Sequence, residues 1–274
     1  PESRALREAL AEFTGVPVEY LMAGLGADEL IDLTMRLFIR PGDAIVNCPP
    51  TFGMYPFDAD VNGARCISVE RGDDFALDMG GIEAAVADHR PKLIFVASPN
   101  NPDGSWLTNA DLERLLALPL VVVLDEAYVE FAGLENSRTA LVPQCENLIV
   151  LRSFSKWAGL AGMRVGYGAF PAQLMPHLWK IKQPYNVPVA SAAAAIAVLS
   201  DSDYLEMHVD RMVSERERLA NLLAEIPYLR PYPSLSTYVL CRVVGREAHA
   251  LKAKLEREGI LIRYYDTPRL LDHI

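Results

Sequence analysis

Lys156 stands in the run Leu151-Arg152-Ser153-Phe154-Ser155-Lys156, just past an apolar stretch, and Arg164 follows across a Gly-rich turn. A lysine amine can form a Schiff base with an aldehyde. Two serines and an arginine can give a phosphate its hydrogen bonds and counter-charge. A lysine beside serines is also an ordinary surface arrangement, so the other reactive groups must decide.

Asp125 closes the most apolar run of the chain and leads into Glu126-Ala127-Tyr128. A carboxylate at the end of a buried strand is costly unless it meets a cation, such as a protonated ring nitrogen. An Asp there could equally cap a helix. In Ser98-Pro99-Asn100-Asn101-Pro102-Asp103-Gly104 the prolines push the residues before them toward extended backbone. That stiffens a loop able to aim the Asn101 amide, although the same residues make an ordinary turn. Gly24-Leu25-Gly26-Ala27-Asp28 precedes a helix. The free amides of a helix start bind phosphate, and an N-cap Asp fits the same residues. Pro49-Pro50-Thr51-Phe52 offers an aromatic ring that could stack on a planar ligand or join the core.

The elements that must position these groups alternate along the chain. Residues 4–13 have helical periodicity, and a second amphipathic helix is expected to start near Asp28. Strands are predicted at 44–47, 64–69, 92–97, 120–125, 147–151 and 165–170, with helices such as 81–89 and 108–117 between them. This predicts an α/β fold, a mostly parallel sheet sandwiched by helices. Residues 120–124, apolar on both faces, belong at its centre. The Ala-rich run 189–199 reads as a buried helix, and a charged helix over 201–225 leads away from the sheet. Beyond it, a strand at 237–243, a helix at 248–258 and a strand at 260–264 predict a small α+β C-terminal domain. The expected division is an N-terminal segment 1–15, a large domain 16–215 and a small domain 216–274.

Several of the reactive groups fall at strand ends, where ligands bind in open α/β sheets. Hydrophobic residues make up 51% of the 274, enough for a sizeable core. A net charge of −10 argues against a nucleic-acid surface. The four cysteines form no CxxC pair and the five histidines show no ligand spacing, so neither a metal site nor a disulfide framework is expected. That usage fits a reducing cytoplasm. The longest apolar run is too short to span a bilayer, and no signal peptide is visible.

The ordered set GADE, PPTFGMYP, SPNNPDG, VVVLDEAYVEFA, LRSFSKWAGLAGMRVGY and GILIR resembles the aspartate-aminotransferase-like superfamily of pyridoxal phosphate (PLP) enzymes of fold type I. Within it, the resemblance is to the histidinol-phosphate aminotransferase family. It implies that Lys156 carries PLP as a Schiff base and acts as general base. It also implies that Asp125 partners the ring nitrogen, that Asn101 and Tyr128 bond the ring hydroxyl, and that Phe52, where many relatives have Tyr, stacks on the ring. The phosphate would fall to Gly26, Ala27, Asp28, Ser153, Ser155 and Arg164, and the substrate to Asn101 and Arg263.

The implied reaction moves an amino group from histidinol phosphate to 2-oxoglutarate by ping-pong kinetics, in a cytoplasmic homodimer with shared active sites. The alternatives on this scaffold are an aromatic or broad-specificity aminotransferase, a threonine-phosphate decarboxylase-like lyase, and a non-catalytic sensing module. Asp103 stands where the family has Thr, which places a charge beside the site. The resemblance also leads us to expect family segments outside these residues, a partner-reaching tyrosine before Pro1 and a second substrate arginine after Ile274.

Overall fold

A computed structural model describes residues 2–274; Pro1, the first residue of the expected N-terminal segment, lies outside the described residues. The elements run α1 (Arg4–Thr14), β1 (Leu21–Gly24), α2 (Gly26–Phe38), β2 (Ala44–Asn47), α3 (Met54–Val61), β3 (Arg65–Ser68), α4 (Met79–His89), β4 (Leu93–Ala97) and α5 (Asn109–Leu116). They continue as β5 (Val121–Asp125), β6 (Leu148–Ser153), β7 (Gly166–Ala169), α6 (Met175–Ile181), α7 (Val189–Leu199), α8 (Ser202–Ala224), β8 (Leu229–Pro231), β9 (Cys241–Val243) and α9 (Ala248–Arg257).

Seven strands form one sheet in the order β1-β7-β6-β5-β4-β2-β3, which puts β5 at its centre. Strands β3, β2, β4, β5 and β6 run parallel, while β7 is antiparallel to both of its neighbours. Side chains alternate across the sheet as the pleat requires. Ile94, Val122, Leu124, Leu148 and Val150 enter one core with Leu6, Leu10 and Trp157. Phe95, Val123, Ile149 and Leu151 enter the other with Leu30, Ile31 and Tyr55. Burial on both faces explains why these strands read as unbroken apolar runs.

Several expectations are corrected. Helix α2 starts at Gly26, so Asp28 lies inside its first turn and is not the N-cap. Helix α7 forms, but only Ser191 and Ala195 are buried in it and Val189 is 87% exposed. Helix α7 packs on α1 and also meets α8 and the 161–163 turn, while Val189, Ala190, Ala193 and Ala197 on its other face are exposed. Residues 260–264 form no strand, because the backbone there finds no strand to pair with. The 237–243 strand shortens to β9, which pairs with β8 and also bonds through Cys241 to Ile274. Helix α8 does not lead away: Arg216 donates to the carbonyls of Phe131 and Ser236, tying α8 to both parts of the chain. β1, α3 and α6 were not foreseen. Pro56 hides α3, yet a proline in the first turn of a helix loses no hydrogen bond.

Candidate active site

The carboxyl ends of β2, β4, β5 and β6 open on a cavity of about 190 Å³. Asp28, Phe52, Asn101, Asp125, Tyr128, Ser153, Ser155, Lys156 and Arg164 all line it. Chain segments far apart in sequence thus deliver every group singled out above except Gly26 and Arg263.

Asp125 ends β5 and is 5% exposed. Its Oδ1 accepts from the Ala127 amide at 3.0 Å and its Oδ2 from the Tyr55 hydroxyl at 2.8 Å. Burial pushes this carboxyl above its ordinary value, while those two hydrogen bonds and Lys156 pull it down. A carboxylate held this way remains a ready partner for a cation arriving from the cavity. Tyr128 follows on the same strand end, and the Lys156 Nζ lies 5.5 Å from the centre of its ring. Burial first, and Asp125 second, push the Tyr128 phenol up to about 12. It therefore stays a neutral hydrogen-bonding group at working pH.

Lys156 lies on the exposed turn after β6, whereas Phe154 and Trp157 on either side of it are buried. The buried neighbours fix the turn and leave the amine in the cavity. Ser153 accepts from the Ser155 amide at 3.1 Å. Across the opening, α2 begins with Leu25 as its N-cap and without a side-chain cap, so its first-turn amides lack a side-chain partner. Arg164 stands beside them, its Nη2 at 2.9 Å from Asp28 Oδ2. A Cβ on Gly26, whose φ is +78°, would come within 2.9 Å of that guanidinium. A Cβ on Gly166 would sit 2.7 Å from the Ala27 nitrogen. Both glycines allow the close approach of β7, Arg164 and the helix start that makes an anion cradle.

The 99–105 loop is locked by partners that were not anticipated. Asn100 accepts from Thr51 at 2.7 Å and donates to the Pro50 carbonyl at 3.0 Å and to Asp103. Asp103 is 2% exposed, and its other oxygen accepts from the Ser105 amide. The carboxylate expected to place a charge beside the site is instead an internal clamp of the loop. Tyr238 donates to the Asn100 carbonyl at 2.8 Å and Tyr265 to the Asn101 side chain at 3.4 Å.

Arg263 lies outside the first cavity. It lines an adjoining one of about 630 Å³ that shares Phe52 and Asn101 with it. Its guanidinium stands 5.5 Å from the Tyr265 ring. The two cavities together offer an amine, a buried carboxylate, an anion cradle and, farther out, a second cation.

The family model for aminotransferases of class I and II matches residues 1–273. The chain belongs to that family. It is 54% identical over its whole length to histidinol-phosphate aminotransferase 1, chloroplastic, of Arabidopsis thaliana, and covers 66% of that protein. It is 49% identical to histidinol-phosphate aminotransferase of Roseiflexus castenholzii, with all of this chain and 74% of that one aligned. The crystal structure of histidinol-phosphate aminotransferase from Sinorhizobium meliloti in complex with pyridoxal-5'-phosphate superposes with a TM-score of 0.93 at 31% identity, covering 100% of this chain and 76% of that one. The chain thus spans just under two thirds of the length of the plant relative.

Sequence reasoning missed Tyr55, the partner of Asp125. The available signal was a polar-tipped aromatic three residues after Phe52 in an otherwise apolar turn. Pro56 masks the helix that carries it, so periodicity alone does not expose this residue.

Proposed function

We propose that the protein is a PLP-dependent aminotransferase that takes the amino group of histidinol phosphate and passes it to 2-oxoglutarate. One observation carries this reading. The amine of Lys156, the buried Asp125 carboxylate and the Arg164 cradle line one cavity in a member of this family. Its dimensions and donors suit a flat, phosphorylated aldehyde, and the close approach at Gly26 and Gly166 leaves the helix start free for an anion.

When bound, PLP supplies an aldehyde for the incoming amine and a cationic ring that draws electrons from the amine-bearing carbon. Asp125 holds the positive charge on the ring nitrogen, since a carboxylate nearby favours the charged form. Phe52 supports the ring face, and Asn101 and Tyr128 hydrogen-bond its hydroxyl. Ser153, Ser155, Arg164 and the amides of Ala27 and Asp28 hold the phosphate. Lys156 Nζ would take the proton from the amine-bearing carbon and deliver it to the former aldehyde carbon on the far side of the shared nitrogen. Arg263 binds the anionic end of the substrate.

We further read residues 216–274 as a small C-terminal domain, with its own apolar cluster of Leu229, Cys241, Val243 and Ala248, and 16–215 as the large one. Helix α8 runs unbroken through that boundary. The working unit is proposed to be a homodimer. Leu25 and Met163, each next in sequence to a residue of the anion cradle, are exposed, as are Tyr185 and Val189. They are tied together through Glu29, which accepts from Leu25 and Asn186, and through Ser191, which donates to Met163. Among the described residues no helix is long and apolar enough to cross a membrane. All four cysteines are free, which favours a reducing compartment such as the cytoplasm.

The test is an absorbance scan of the intact protein with PLP, followed by histidinol phosphate, phenylalanine, glutamate or threonine phosphate. A Lys156-dependent band that histidinol phosphate converts to the amino form of the cofactor is expected, with Lys156→Ala losing the band and about 10²–10⁴-fold in activity. A band that survives Lys156→Ala would overturn the cofactor assignment. Release of carbon dioxide from threonine phosphate would indicate a lyase instead.

A further inference from the structure

The Tyr55 side chain is fully buried in the core on one face of the sheet, yet it carries a hydroxyl. Its ring stacks on Phe95, with centroids 5.1 Å apart, and meets the edge of Phe52 at 5.6 Å. A phenylalanine would fill that volume equally well. A buried hydroxyl costs free energy unless it finds a partner, and this one donates to Asp125 Oδ2 at 2.8 Å. We propose that Tyr55 is a positioning residue for Asp125, holding its carboxylate in place and in its charged form so that it can pair with a cation in the cavity. The proposal rests on the cofactor reading above.

The geometry leaves Asp125 little other support. One oxygen is taken by the Ala127 amide and the other by Tyr55. The charged and titratable groups around the pair are Asp28 from α2, Lys156 from the turn after β6, Tyr128 beyond β5, Arg71 beyond β3, and Tyr238. Burial, then Asp125 itself, push the Tyr55 phenol well above its ordinary value, so it donates throughout the working pH range. Without that donor, a proton shared between Asp125 and a ring nitrogen shifts toward the carboxylate. The cation that Asp125 is there to hold is then weakened.

Tyr55→Phe, Asp125→Ala and the double variant of the intact protein separate this role from packing. Tyr55→Phe is expected to weaken PLP binding about tenfold, the size of one hydrogen bond to a charged group. It should also raise the pH at which binding is lost on acidification. In the Asp125→Ala background neither change should occur. An equal loss of affinity in both backgrounds, or an unshifted pH profile, overturns the proposal in favour of packing. If the parent protein shows no Lys156-dependent band, the cofactor reading fails and thermal unfolding without added PLP decides. A drop in melting temperature on Tyr55→Phe that vanishes in the Asp125→Ala background supports the coupling. An equal drop in both backgrounds rejects it.

Discussion

At the scale of single residues, charge placement is tuned by burial as much as by partners. Asp58 shows this outside the site. It lies on α3, 6% exposed, with its Oδ2 lacking a hydrogen-bond partner. Burial first, then the carboxylates of Asp32 and Asp28, push it up to about 6. A folded-state value above the unfolded one favours the protonated form. That stability is fully present below the ordinary carboxylate range and is lost as pH rises through about 6. Asp58→Asn is therefore expected to stabilise the fold by about 1–3 kcal/mol at pH ~8 and by nothing below pH ~4. Urea unfolding at the two pH values checks this, and a gain of equal size at both would show that charge is not the cause. In the site itself, Lys156 and Asp125 were legible as residue types. What they could not reveal was the environment that makes each useful: buried neighbours flanking the amine, and a phenol bonded to the carboxylate.

At the scale of elements, the site depends on how closely α2 approaches the sheet. Strand β7 pairs with β1 through Gly166, and a Cβ there would meet the Ala27 nitrogen, the Gly26 carbon and the Arg152 carbonyl within 2.9 Å. All three are backbone atoms, which cannot swing aside as a side chain can. Gly166→Ala should thus push the start of α2 outward. About 1–3 kcal/mol of stability should be lost, and PLP affinity should fall at least about tenfold as the cradle opens. Thermal unfolding and cofactor titration read the two effects. A variant that loses stability but keeps full affinity would mean that the strain relaxes away from the cradle. Beneath the same strands, Arg152 of β6 pairs with Glu130 at 2.5 Å, both side chains 3% exposed. Glu126 accepts from Ser137 and the Arg138 amide. Such a buried set fixes the turn that carries Tyr128, since a charge left unpaired there would be costly.

At the scale of the whole molecule, α7 is tied to the segment that carries Arg164, since Ser191 donates to the Met163 carbonyl, and Val189 at its start is 87% exposed. A carboxylate at Val189 would have to be desolvated by any second copy seated there. Val189→Glu is expected to raise the dimer dissociation constant at least about tenfold and to weaken PLP binding with it, as sedimentation and cofactor titration would report. A parent protein that sediments as a monomer with full affinity would end the dimer proposal. The sequence by itself determined the α/β class, the central strand and most element positions, and it offered candidate site residues most of which line one cavity. Those follow from local periodicity, and from polar residues placed where apolar runs stop. Only the tertiary structure decided that the Tyr55 hydroxyl donates to Asp125, that Asp103 clamps its own loop, that 260–264 is not a strand and that α7 leaves one face exposed. Each of these depends on which distant segment packs against the residue, and that information is absent from the spacing of side chains along one chain.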